Sequence, residues 1–78
     1  MMTAEQRVRL LRQAGHKCGM SMCITTSNGR PVREMVFFVI DDGNRYSALE
    51  VAPADIPLDD VEDVLHSLID SVLANVHR

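Results

Sequence analysis

Residues 20–51 read MSMCITTSNGRPVREMVFFVIDDGNRYSALEV, and two dipeptides punctuate the stretch, Asn28-Gly29 and Asp42-Gly43. Both tolerate the positive φ angles of a type I′ turn, whose twist suits two adjoining antiparallel strands. The apolar and β-branched runs around them then read as strands over Met20–Thr26, Val32–Ile40 and Arg45–Val51. The expectation is a three-stranded antiparallel meander with Val32–Ile40 in the middle.

Two-residue turns also set the register. A first loop at 28–29 pairs Met22 with Met35 and Met20 with Phe37; a second at 42–43 pairs Phe37 with Ala48 and Val39 with Tyr46. One face then carries Met20, Met22, Ile24, Met35, Phe37, Val39, Tyr46 and Ala48, diluted by Arg33 and Glu50. The other carries Cys23, Val32, Val36, Phe38, Ile40, Leu49 and Val51, with Ser21, Thr25, Glu34, Arg45 and Ser47 among them.

Helical signals flank the meander. Thr3 with Gln6 forms a capping-box pattern, Val8, Leu11 and Ala14 recur at helical spacing, and Gly15 is a natural stop. This predicts a helix over 3–14. After Pro53 and Pro57 a second helix is expected from Leu58 to Val76, with Asp59 and Glu62 as a capping pair. Its apolar residues (Val61, Val64, Leu65, Leu68, Ile69, Val72, Leu73, Val76 and Leu58) fan over about half the circumference, wider than the roughly 100° stripe a helix needs to lie on one sheet. The first helix or a symmetry mate could fill that extra width. The order α-β-β-β-α gives a single α+β domain spanning residues 1–78.

Composition narrows the classes. The chain has 78 residues, 46% hydrophobic and 24% charged, which is ordinary for a folded soluble protein. Its longest apolar run, Met35–Ile40, is far short of the roughly 20 residues of a membrane span. Arg7, Arg9, Arg12 and Glu5 interrupt any leader-like stretch, and two cysteines without a leader point to a reducing, cytoplasmic setting. Residues 1–46 hold seven Lys/Arg against four acids, whereas residues 47–78 hold one against seven. Such asymmetry suits a charged partner, or two copies that attract each other.

Catalytic and metal chemistry find little footing. His16, Cys18 and Cys23 form H-x-C-x4-C, with His66 or His77 as a distant fourth donor, but structural zinc sites are dominated by C-x2-C pairs. Asp59, Asp63, His66, Asp70 and His77 share one side of the last helix, opposite its apolar arc, a solvated face and not the water-poor cleft that acid–base work needs. Gly15, Gly19, Gly29 and Gly43 are scattered and make no phosphate loop. No catalytic residue, cofactor or metal is therefore expected.

The element order resembles that of double-stranded RNA-binding domains in topology, which implies shape and phosphate recognition. The last helix departs from that pattern, because it begins Leu58-Asp59-Asp60-Val61-Glu62-Asp63 and would repel a phosphate backbone. A nucleic-acid reading rests instead on Arg7, Arg9, Arg12, Lys17, Arg30 and Arg33.

Both faces of the central strand are apolar, so one expectation is a helix on each face. The other, adopted here, is that both helices cover one face and a second chain covers the other. The aliphatic face (Val36, Phe38, Leu49, Val51) is assigned to the helices. That leaves Met20, Met22, Met35, Phe37, Val39 and Tyr46 as the protein contact, since methionine suits adaptable surfaces. The function expected is a non-enzymatic protein-binding protein, acting as a homodimer and as an adaptor, regulator or inhibitor of another protein. Nucleic-acid binding is the alternative, and no membrane association is expected.

Overall fold

Asn28 and Asp42 have φ of 53° and 51°, and the glycines after them 75° and 78°, so both turns are the left-handed pairs that type I′ requires. The structure, a computed structural model, describes residues 1–77. It contains α1 (Ala4–Gln13), β1 (Lys17–Ser27), β2 (Arg30–Asp41), β3 (Asn44–Pro53) and α2 (Leu58–Val76). The strands form one antiparallel sheet in the order β1-β2-β3, an α+β fold. The register follows the turns: Met22 opposes Met35, Met20 opposes Phe37, Phe37 opposes Ala48 and Val39 opposes Tyr46. The strands run a few residues longer than their apolar runs because pairing continues to the turn residues.

Thr3 and Gln6 form the capping box of α1 in full, each side chain bonded to the other's backbone N–H. The expected Asp59–Glu62 pair at the start of α2 does not form. Pro57 occupies the cap position and no side chain caps the helix. Glu62 Oε2 instead accepts the Ala4 N–H at 3.0 Å, so an α2 carboxylate answers an open donor at the start of α1. The two helices lie side by side and point the same way. Ala4 meets Glu62, Arg7 meets His66 and Asp70, and Leu11 and Leu73 line one groove.

Both helices cover the same face of the sheet, and it is the face opposite the one expected. Met35, Phe37 and Val39 are fully buried beneath them, with Ala4, Val8, Cys18, Val61, Leu65, Leu68, Ile69 and Val72. The extra width of the α2 arc is taken up by α1, through Val8 and the half-buried Leu11. Leu58 falls outside this packing and is 77% exposed.

Polar content explains the choice of face. Covering the other side with the helices would set Glu34, Arg45 and Ser47 against their apolar stripes, at a desolvation cost. On the covered side Glu50 stays exposed on the edge strand β3, and Arg33 extends its Nη2 to the Ala54 carbonyl at 3.3 Å. Ala48 and Ala52 on β3 leave room for α2 to approach.

This packing makes Phe37 a folding residue. Phe37→Ala should lower stability by about 3–5 kcal/mol, comparable to the roughly 4–12 kcal/mol expected for a domain of this size. Phe37→Asp should unfold the chain outright. Loss of the cooperative thermal transition by circular dichroism is the check, and a folded Phe37→Asp protein would mean that the covered face is wrongly identified.

Candidate protein-contact surface

Alternation along the strands sends Val32, Val36, Phe38 and Ile40 of β2 to the side that carries no helix, beside Leu49 and Val51 of β3. Leu49 is 57% exposed, Val51 44% and Ile40 37%, whereas Val32, Val36 and Phe38 are half-buried by their neighbours. Val36 faces Leu49 directly across β2 and β3. Together these side chains make a continuous apolar platform on a sheet whose other side is already packed.

Phe38 shapes one end of the platform. It pairs across strands with Gly19, where an added Cβ would lie 2.7 Å from the ring, so only glycine lets the ring settle over β1. The Arg45 guanidinium stacks on the ring at 4.5 Å from its centroid, a cation–π contact worth about 0.5–1 kcal/mol at an exposed site. This contact places the Arg45 guanidinium over that end of the platform. On the other side of Val36 sits Glu34, half-buried, with the Cys23 thiol 3.8 Å from its Oε2. The platform thus has an apolar middle, a cation toward one end and an anion toward the other.

The residues expected to form the contact are divided by the fold. Met35, Phe37 and Val39 lie in the core, and Met20 and Tyr46 are half-buried under the helices. Met22 alone of the six is open, at 48% exposure near the outer edge of β1. The expectation that these side chains make one exposed contact is therefore overturned.

The basic residues are dispersed. Arg7 donates to Asp70 at 2.7 Å and to His66 Nδ1 at 3.0 Å, Arg12 donates from Nε to the Cys18 carbonyl at 2.9 Å, and Arg9 lies 4.0 Å from Glu5. Arg33 is turned to the Ala54 carbonyl, Lys17 begins β1, and Arg30 follows the first turn at the other end of that strand.

One cluster was not foreseen. Arg7 of α1 meets His66 and Asp70 of α2, above an open groove of ≈ 640 Å³ lined also by Met1, Met2, Asp63 and Ser67. Arginine only donates, so His66 Nδ1 accepts in this contact, and His66 Nε2 lies 3.6 Å from Glu62. The polar side of α2 is thus partly used to fasten α1. Spacing on α2 alone could not reveal this, since the partner comes from 59 residues away.

Cys18 and Cys23 point to opposite faces of β1, which separates the two thiols of the H-x-C-x4-C pattern. Burial pushes the Cys18 thiol up from its ordinary pKa, and the nearby Arg12 opposes this only in part. Among the described residues no group of three or more His, Cys, Asp or Glu is placed to hold a metal ion, and no helix is long and apolar enough to cross a membrane. No family model, curated protein or solved structure matches the chain.

The position of Cys18 gives a test of the core beside α1. In a Cys23→Ser chain, alkylation of Cys18 at pH 8 should follow global unfolding, becoming fast only at denaturant concentrations that melt the protein. The raised pKa means the fold holds that proton more tightly than the unfolded chain does. The Cys18 contribution to stability should therefore decline as pH climbs past the ordinary thiol range.

Proposed function

We propose that the chain is a non-enzymatic protein-binding protein, an adaptor, regulator or inhibitor, whose copies join through the open face of the sheet. The observation that carries this reading is the apolar platform Val32, Val36, Phe38, Ile40, Leu49 and Val51, left in water by a fold that places both helices on the other side. Contiguous apolar surface of this kind marks an interaction site in a folded chain.

A second copy suits the platform by charge as well as by apolar character. Consider a two-fold axis running across the strands at the level of the Val36–Leu49 pair. Positions 34 and 38 are equidistant from Val36, so the axis lays Glu34 of one chain against Phe38 of the other, where the Arg45 guanidinium is stacked. The same axis sets Val36 on Val36, Leu49 on Leu49, and Val32 on Ile40. Anion meets cation twice around an apolar centre, the pattern of an isologous interface. Two sheet faces packed in this way lie about 10 Å apart.

Nucleic-acid binding draws less support, because Arg7, Arg12 and Arg33 are engaged within the fold and Arg30 lies away from α1 along the sheet. Tight binding to DNA or RNA that falls steeply with salt would reverse that preference.

Leu49→Glu should halve the mass of the assembly in light scattering while leaving the circular dichroism spectrum unchanged. Glu34→Arg should weaken assembly by about tenfold, and adding Arg45→Glu to the same chain should restore it. An unchanged mass for Leu49→Glu would refute the sheet-face contact.

A further inference from the structure

We propose that the outer edge of β1 is a strand-pairing site for β1 of a second copy, the two strands running antiparallel about a two-fold axis at Cys23. This goes beyond the sheet-face contact and does not rest on it.

β1 is the outermost strand of the sheet. Ser27 and Arg30 flank a two-residue turn and so exchange both their hydrogen bonds. By alternation, every second residue back from Ser27 bonds to β2. The N–H and C=O groups of Cys18, Met20, Met22, Ile24 and Thr26 therefore point outward, away from the sheet. The first of these carbonyls is answered within the chain, by Arg12 Nε at 2.9 Å. Among the described residues the groups of Met20, Met22, Ile24 and Thr26 have no partner.

That open stretch is unguarded. Residues 20–26 contain no charge and no proline, and the register with β2 runs through them without a bulge. The other edge of the sheet, β3, carries Arg45, Glu50 and Pro53, the devices by which edges are protected from pairing. A free, flat, uncharged edge is a template for strand addition.

Symmetry selects the occupant. The stretch from Met20 to Thr26 is centred on Cys23, so an antiparallel copy about that point matches outward-pointing residues with one another. Met22 falls opposite the partner's Ile24, Ile24 opposite the partner's Met22, and Met20 opposite the partner's Thr26. Each of these pairs exchanges two main-chain bonds. Met22 and Ile24 are 48% and 61% exposed on the helix side, beyond the cover of α1, and the pairing sets them on each other. A groove of ≈ 320 Å³ lined by Glu5, Val8, Arg9, Arg12 and Met20 runs beside this edge and gives the incoming strand room beneath α1. On the open face Ser21 meets the partner's Thr25, and Cys23 meets its own copy at a non-hydrogen-bonded position. Cα atoms there are about 4.5 Å apart, within the range a disulfide spans.

Cys23 thus reports the pairing. Diamide, which oxidises two thiols to a disulfide as its own N=N bond is reduced, should link wild-type chains through Cys23 at low micromolar protein. Met22→Lys and Ile24→Lys place a charge on the edge at exposed positions. Each should slow linkage at least tenfold and halve the assembly mass, with thermal melting retained as evidence of folding. The edge axis stands normal to the sheet and the face axis lies in it, so a chain using both surfaces assembles beyond a dimer. Met22→Lys combined with Leu49→Glu should then be monomeric. Equal linkage rates and unchanged mass in both lysine variants would overturn the edge proposal, whatever Leu49→Glu does. Should Leu49→Glu leave the mass intact while Met22→Lys halves it, the edge stands and the sheet-face reading falls.

Discussion

The parity of β2 is the constraint on which the rest of the molecule depends. Asn28–Gly29 and Asp42–Gly43 close two-residue turns at its ends, and those turns lock β1 and β3 in register on either side. Once locked, Met35, Phe37 and Val39 must share one face while Val36, Phe38 and Ile40 share the other. A slip of one residue would exchange the two sets wholesale. The chain has only two helices, and Arg7, Glu62, His66 and Asp70 tie them together as one layer. A joined pair covers a single face, so the second apolar set stays in water for as long as the molecule is alone.

Length adds a second constraint. α1 has ten residues and β1 eleven, but a helix rises about 1.5 Å per residue and a strand about 3.3 Å. The helix therefore spans less than half of the strand it lies on. Cys18 and Met20 fall under its cover, whereas Met22 and Ile24 project past its start. The exposed Met22 and Ile24 and the open face thus have separate origins, one in helix length and the other in helix placement.

Much of this was legible in the residues. Turn chemistry specified the strand register pair by pair, and Thr3–Gln6 and Pro57 bracketed the helix starts closely. The covered face was misread, although a usable signal was present. Ser21, Glu34, Arg45 and Ser47 all project to one side and made it the more polar, which outweighs any preference of aliphatic over thioether side chains for a core. The Asp59–Glu62 pair failed as a cap for another reason, since Glu62 had a better donor in Ala4. That donor, like the Arg7 contacts with His66 and Asp70, comes from the far end of the sequence. Periodicity within one element carries no information about such long-range partners. Gly19 is a similar case, its absent side chain meaningful only once Phe38 is known to lie across it.

The hydrogen bond from Arg12 to the Cys18 carbonyl has a role larger than its size. It closes the free edge of β1 beside the last turn of α1, and in the proposed pairing it would limit how much backbone a neighbouring strand could add to. Were α1 to peel away, Cys18 would be released along with the Met20 side chain, and the pairing frame would lose its fixed midpoint. Strands could then add in several offsets in place of one. On the proposed edge pairing, a ten-residue helix is thus what would hold the strands to a single offset.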